Sequence, residues 1–134
     1  MYGTYNFVGM TKVKESSTNS INRNFLSDCN LTYAVQLIGG RWKLPILMRL
    51  EKGKRRFGEL KKIIPNITER MLTLQLRELE RDGVITRTVY PEVPPRVEYE
   101  LTEIGQELIP ACLLLDGWGE KHKHIHLGKQ STLI

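Results

Sequence analysis

Apolar residues recur at spacings of three and four along the middle of the chain, which places them on one side of an α-helix. Three such stripes precede residue 65. The first consists of Leu31, Ala34, Val35 and Ile38, the second of Trp42, Ile46, Leu47 and Leu50, and the third of Leu60, Ile63 and Ile64. Gly39-Gly40 and Pro65 are residues that end helices, so the pattern predicts three short helices.

A fourth helix is predicted from Thr68 to Asp82-Gly83. Thr68 has the short hydroxyl side chain that caps a helix start, and Glu69 places a negative charge in the first turn. Two alternating, β-branched segments follow at 84–90 and 96–101, a pattern typical of two antiparallel strands. Two adjacent short helices followed by a hairpin predict a mainly helical α+β fold, a winged helix-turn-helix with a two-stranded wing.

The fourth predicted helix has two chemically different sides. At 100° per residue, one side carries leucines that would pack: Leu72, Leu76 and Leu79. The other side is basic or small: Arg70, Thr73, Leu74, Arg77 and Arg81. Arginine can hold guanine with two hydrogen bonds, and threonine or leucine can contact a thymine methyl group. The pattern predicts a recognition helix for duplex DNA, and the alternative is a solvated helix face with one incidental leucine.

Basic residues on both sides of this helix are expected to assist it. Arg55 and Arg56 precede the third helix and are predicted to contact DNA phosphates. Pro91, Pro94 and Pro95 stiffen the loop between the two strands, so Arg96 would project toward a phosphate or a narrow minor groove. The alternative for Arg96 is a surface arginine paired with a nearby glutamate, Glu92 or Glu98.

A long helix is predicted after Thr102 and Glu103, which resemble a cap and a first-turn acid. Its apolar stripe consists of Ile104, Leu108, Cys112 and Leu115. This is more apolar surface than so small a domain needs for its own core. We therefore predict a homodimer interface formed by this helix, Trp118 and the N-terminal helix, and the alternative is packing within one subunit.

Charge supports a nucleic-acid partner. The chain has 134 residues and a formal net charge of +5, and the segment 41–100 carries all of that excess. A basic region favours an anionic partner. We expect a flexible N-terminal arm at 1–26, a winged helix-turn-helix DNA-binding and dimerisation domain at 27–120 and a basic C-terminal tail at 121–134.

Other classes of protein find little support in the sequence. No apolar run approaches the roughly 20 residues of a membrane span, and two cysteines form no disulfide framework, so a cytoplasmic protein is expected. No nucleophile with a base, pair of acids or phosphate-binding loop occurs, so we expect neither an enzyme nor a cofactor. His122, His124 and His126 lie in a lysine-rich stretch, and we expect no metal site there.

Several motifs match a known family in order and spacing. They are Cys29, Gly39-Gly40-Arg41-Trp42-Lys43, Arg55-Arg56-Phe57, Ile67-Thr68-Glu69-Arg70-Met71-Leu72, Gln75-Leu76-Arg77-Glu78-Leu79, Gly83, and the run from Tyr90 to Tyr99. Over residues 29 to 119 the chain resembles the HxlR-type family of bacterial winged-helix transcription regulators. The resemblance implies a cytoplasmic homodimer on a pseudo-palindromic operator, with a recognition helix from Thr68 to Arg77 that includes Met71, and Arg96 as a wing contact. It also implies a structural segment from Gly39 to Lys43, with Trp42 in the core.

The resemblance also concerns Cys29, because some family members use a cysteine ahead of the first helix to sense oxidants or electrophiles. A thiol near a helix N-terminus can be more acidic and more reactive. In this chain Asn30 stands where the family usually has proline, and the adjacent Asp28 disfavours a thiolate. An inert structural thiol and a redox switch therefore both remain open. Cys112 is predicted to be a small buried hydrophobe.

The sequence predicts a sequence-specific, double-stranded DNA-binding transcriptional regulator that works as a homodimer. Regulation by an oxidant or a small-molecule effector is the accompanying hypothesis. The alternative is a winged-helix module that binds protein or RNA without specific DNA recognition, because a fold alone does not define a function.

Overall fold

The chain is described from a computed structural model. The structure describes the backbone of residues 29–131 and the side chains of residues 29–128. The arm predicted at 1–26 lies outside these residues. The described elements, in chain order, are α1 Asn30–Ile38, α2 Lys43–Arg49, β1 Arg55–Arg56, α3 Phe57–Ile63, α4 Glu69–Arg81, β2 Ile85–Tyr90, β3 Arg96–Leu101 and α5 Glu103–Ser131.

The helix-turn-helix formed by α3 and α4 lies where the sequence predicts it. In the turn between them Asn66 has a positive φ of 66°, which asparagine tolerates better than most side chains. The Thr68 hydroxyl accepts a hydrogen bond from the backbone N–H of Met71 at 3.1 Å and so caps α4. Gly83, with φ of 74°, lets the chain turn away after α4. The predicted cap and both ends of α4 are confirmed.

The hydrophobic core forms around the inner side of α4. Leu72, Leu76 and Leu79 are each at most 1% exposed, which confirms the predicted packing side. The other buried apolar residues come from α2, α3, the sheet, α5 and the segments that join them. They are Ile46, Leu47, Leu50, Leu60, Ile64, Ile67, Val84, Ile85, Tyr99, Leu101, Ile109 and Cys112. The outer side of α4 is thereby left for solvent or a ligand.

The sheet has three antiparallel strands in the order β1-β3-β2, one more than the predicted hairpin. The additional strand is β1, where Arg55 pairs with Tyr99 and Arg56 pairs with Glu98. A strand of two residues is too short to show an alternating pattern in the sequence. It can be recognised only through its pairing with β3. In the hairpin, Arg87 lies opposite Tyr99 and Tyr90 lies opposite Arg96.

The start of α5 is held tightly against the start of β2. The Thr102 hydroxyl accepts a hydrogen bond from the N–H of Gly105 at 3.1 Å and donates one to the carbonyl of Gly83 at 2.7 Å. A Cβ atom at position 105 would collide with the carbonyl oxygen of Val84, so glycine permits this close approach. The predicted cap at Thr102 is confirmed.

Only part of the predicted stripe on α5 packs within the subunit, and its assignment to a dimer interface stays a prediction. Ile104 and Leu115 are more than half exposed, while Gly105, Ile109 and Cys112 are buried. Apolar residues lie all around this helix, so their spacing alone does not show which side packs. The close contact between Gly105 and Val84 determines that side. The helix continues through the segment predicted as a basic tail to Ser131. No helix among residues 29–131 is both long and apolar enough to cross a bilayer.

Helix α1 belongs to a separate compact unit that ends at Gly40. The helix ends where the sequence predicts, and the backbone N–H of Gly39 donates a hydrogen bond to the carbonyl of Val35. None of its residues is buried, and Leu31 and Val35 are among its exposed apolar side chains.

Candidate nucleic-acid interface

The outer side of α4 presents two arginines and a leucine to solvent. Arg70, Leu74 and Arg77 are all exposed, on the side opposite the buried leucines. Within residues 29–128 no carboxylate forms an ion pair with Arg70 or Arg77. Their guanidinium groups can therefore meet an anionic ligand without first giving up an internal partner.

The other predicted contacts on α4 are partly engaged within the helix. The Thr73 hydroxyl donates to the carbonyl of Glu69 at 2.8 Å, and Thr73 is half-buried. Met71 is also half-buried, and its Sδ accepts a hydrogen bond from Gln75 Nε2 at 3.3 Å. Thr68 is exposed at the helix N-terminus, where its hydroxyl serves as the cap.

The sequence predicts phosphate contacts for both Arg55 and Arg56, but the two side chains have different environments. The Arg55 Nε donates to the carbonyl of Arg49 at 2.8 Å, and its Nη1 lies 3.8 Å from Glu59 Oε2. The Arg56 side chain is exposed, and its backbone N–H donates to Glu59 Oε1 at 3.2 Å. Arg56 is therefore the better placed of the two for a phosphate.

Arg96 does not project from the loop, which corrects the prediction. Its guanidinium carbon lies 4.1 Å from the centroid of the Tyr90 ring. Its Nη2 lies 3.4 Å from Glu92 Oε1 and its Nε 3.3 Å from Glu98 Oε1. Tyr90 is opposite Arg96 in the strand pairing and Glu98 is two residues along the same face, so the alternative of internal pairing is observed. A contact from Arg96 to DNA remains a prediction, and it requires both carboxylates to release the guanidinium.

Arg87 is a further candidate contact, one that the sequence pattern does not single out. Arg87 is exposed on β2 and lines a cavity of about 270 Å³ between α4 and the sheet, together with Thr73, Arg77 and Glu80. It is opposite Tyr99, so both side chains lie on the same face of the sheet. The packing of β2 against α4 brings Arg87 near Arg77.

A partly buried ion pair between α2 and α4 was not predicted from the sequence. Lys43 Nζ lies 2.8 Å from Glu78 Oε2, and the Lys43 side chain is only 9% exposed. Among the residues with described side chains, Lys43 is the one buried charged residue. A buried ammonium group is costly unless it is paired, which explains the close contact with Glu78. One indication in the sequence that Lys43 is buried is its position beside Trp42 at the start of a helix.

Trp42 itself is half-buried, so the core position that the resemblance implies is only partly reached. The guanidinium carbon of Arg41 lies 4.6 Å from the centroid of its ring, within the range of a cation–π contact.

The two cysteines have opposite environments. Cys29 is partly exposed at the N-cap of α1. Hydrogen bonding to Thr32 lowers the pKa of the Cys29 thiol, and the side chain of Thr32 contributes more to this than its backbone N–H. The Cys29 side chain does not form a capping hydrogen bond at the start of α1. Cys112 is buried, and desolvation raises the pKa of its thiol, as expected for the predicted small hydrophobe.

We expect Cys29 to react with iodoacetamide well before Cys112. The attacking species is the thiolate, and a lowered pKa means that this form of Cys29 accumulates at lower pH than in an ordinary thiol. Peptide mass spectrometry over a series of pH values measures both rates in one sample. Equal rates at the two cysteines in the folded protein would contradict the described environments.

Three histidines lie on the exposed part of α5. The ring of His122 stacks between those of Trp118 and His126, with centroid distances of 5.1 and 5.4 Å. Within the described side chains no group of three His, Cys, Asp or Glu residues is placed to hold a metal ion.

The helix-turn-helix of α3 and α4, followed by the hairpin of the three-stranded sheet, defines a winged helix-turn-helix protein. The sequence model of the HxlR-like helix-turn-helix family matches residues 37–126. The chain belongs to this family, as its motifs suggested. YdeP of Bacillus subtilis strain 168, described as an uncharacterized HTH-type transcriptional regulator, is 57% identical over 95 residues, which are 71% of this chain and 74% of YdeP.

Solved structures agree with this assignment. The redox regulator HypR in its oxidized form is 50% identical, with a TM-score of 0.66 over 69% of this chain and 96% of the HypR chain. The reduced form of the transcriptional regulator YodB from Bacillus subtilis is 35% identical, with a TM-score of 0.61 over 72% of this chain and 92% of the YodB chain. The chain is thus similar to transcriptional regulators in sequence and in fold.

Proposed function

We propose that this protein is a cytoplasmic transcriptional regulator that binds a pseudo-palindromic DNA operator as a homodimer. Helix α4 enters the major groove, and the wing lies on the adjacent minor groove or backbone. The observation that carries the proposal is the outer side of α4, where Arg70, Leu74 and Arg77 are exposed opposite the buried leucines.

The residues of the candidate interface divide into two roles in this proposal. Arg70 and Arg77 contact base edges, and Leu74 and the Thr73 methyl group contact thymine. Thr68, Met71 and the basic residues beside the helix, Arg55, Arg56 and Arg96, position the protein on the backbone. Arg87 joins this second group because it lies beside Arg77.

The homodimer is supported by apolar surface that a single copy leaves open. On α5 the exposed apolar residues are Ile104, Leu113, Leu114, Leu115, Trp118, Ile125 and Leu127. A monomeric protein rarely exposes so much apolar surface on one helix without a partner. A symmetric dimer also presents two recognition helices, as a pseudo-palindromic operator requires.

The double substitution Leu114→Glu with Trp118→Glu should convert the dimer into a monomer at micromolar concentration. These side chains are 77% and 65% exposed and lie one helical turn apart, so charges there meet charges from the second copy. Sedimentation velocity measures the change. Val93→Glu, on the fully exposed wing loop, is the control and should leave the dimer intact. A dimeric double variant, or a monomeric wild type, would contradict the interface.

We propose further that oxidation of Cys29 changes operator affinity. The lowered pKa of its thiol favours reaction with an oxidant or electrophile, and HypR, to which the chain is similar, is described as a redox regulator. Diamide with added glutathione should join Cys29 to glutathione by a disulfide bond, while the diamide takes up the two electrons and two protons released. This treatment should shift the affinity of the wild type and leave that of Cys29→Ser unchanged. Unaltered wild-type affinity after complete modification of Cys29 would leave the thiol with a structural role only.

Selection of binding sites from a random duplex pool tests the proposed function. The wild-type protein should enrich an inverted repeat whose half-sites lie about one helical turn apart. No enrichment, with retention of a protein or an RNA in parallel binding assays, favours the alternative of an interaction module.

A further inference from the structure

We infer that the buried Lys43–Glu78 ion pair positions the recognition helix, so that its arginines meet the bases at the required angle. The inference rests on the proposed function, because it concerns how α4 is aimed at DNA. Lys43 is the first residue of α2, and Glu78 follows Arg77 directly on α4. A restraint on Glu78 therefore acts next to a proposed base contact.

The geometry distinguishes this pair from the surface pairs of the protein. Lys43 Nζ and Glu78 Oε2 are 2.8 Å apart, with side chains 9% and 30% exposed. The Lys54–Glu100 pair spans 3.9 Å, and both of its side chains are about half exposed. Short distance and burial make the first pair directional, whereas an exposed pair at 3.9 Å restrains its partners weakly.

Stability alone gives little reason for a buried ion pair here. Apolar side chains of similar volume usually stabilise a protein as well as a buried pair does, because they avoid the desolvation of two charges. Leu72, Leu76 and Leu79 already hold α4 on the core through contacts that are not directional. They fix which side of α4 faces the core, and the ion pair adds a directional restraint on the rotation of the helix about its own axis.

A rotation of α4 would change the direction of every residue on its outer side. Arg70 and Arg77 lie two turns apart on that side, so a small rotation moves both guanidinium groups relative to the bases. Contacts to phosphates tolerate such a shift better, because they depend on charge more than on angle. The pair should therefore matter for discrimination between sequences more than for overall affinity.

The test replaces the pair by apolar residues, with Lys43→Met and Glu78→Met in one protein. Urea unfolding measures stability, and titrations measure affinity for the selected duplex and for a random duplex of equal length. We expect stability close to wild type and a ratio of the two affinities lowered about tenfold or more. A purely structural role would lower both affinities together through the folded fraction and leave the ratio unchanged.

Two further variants complete the test. Lys54→Met with Glu100→Met removes the exposed pair and should leave the ratio unchanged. Lys43→Met alone removes the buried charge and leaves Glu78, which is 30% exposed, able to reach water, so it should lower the ratio even where the apolar double variant does not fold.

A folded variant that lacks the buried pair and keeps the ratio within about twofold of wild type overturns the inference while the proposed function stands. A wild-type protein that binds both duplexes equally overturns the proposed function, and the inference falls with it.

Discussion

Replacing Leu76 with alanine should lower the free energy of unfolding by about 2 to 5 kcal/mol. Leu76 is 1% exposed at the centre of the leucine stripe on α4, so truncation leaves a cavity among side chains that cannot easily close it. Urea unfolding at a fixed protein concentration measures the loss. The concentration must match between variants because dimerisation contributes to the stability of a dimer.

Leu74→Ala is the matched control, since it makes the same chemical change on the same helix. Leu74 is 47% exposed, and its loss should cost the fold well below 1 kcal/mol. Similar destabilisation by both substitutions would mean that α4 is not oriented as described. In that case Leu74 would be buried against the core or a second subunit.

The double substitution Arg70→Ala with Arg77→Ala should abolish preference for the selected duplex. Each arginine that holds a guanine contributes about 1 to 3 kcal/mol of discrimination. The two are about 10 Å apart along the helix, so their losses should nearly add, to about 2 to 6 kcal/mol. Titrations against the selected and a random duplex measure affinity and preference together, and an unfolding curve confirms that the variant remains folded.

Arg56→Ala provides the contrast. As a phosphate contact, Arg56 should weaken binding to all duplexes alike and reduce the slope of log affinity against log salt by about one. If Arg56→Ala and the α4 variant change preference equally, the division into base and phosphate contacts is wrong.

The helix-turn-helix was predictable because its determinants are local. The leucine spacing defines the inner side of α4, Thr68 caps it with a bond to Met71 three residues away, and Gly83 ends it. Each of these signals lies within a turn or two of the feature that it predicts.

The features that were missed depend on residues far apart in the chain. Lys43 meets Glu78 only when α2 and α4 are packed, and β1 exists only through its pairing with β3. Arg96 is a different case, because its partners Tyr90, Glu92 and Glu98 lie close to it in the sequence, and pairing with either glutamate was the alternative left open. Prolines in the loop predicted a stiff wing, but not which way its arginine turns.

The most direct test of α4 as a DNA-recognition helix is a salt series of wild-type affinities for the selected duplex and for a random duplex. We expect the protein to bind the selected duplex about a thousandfold or more tighter than the random one, and the logarithm of each affinity to fall steeply and linearly with the logarithm of salt concentration. Equal affinity for the two duplexes, or affinity that does not change with salt, would contradict it.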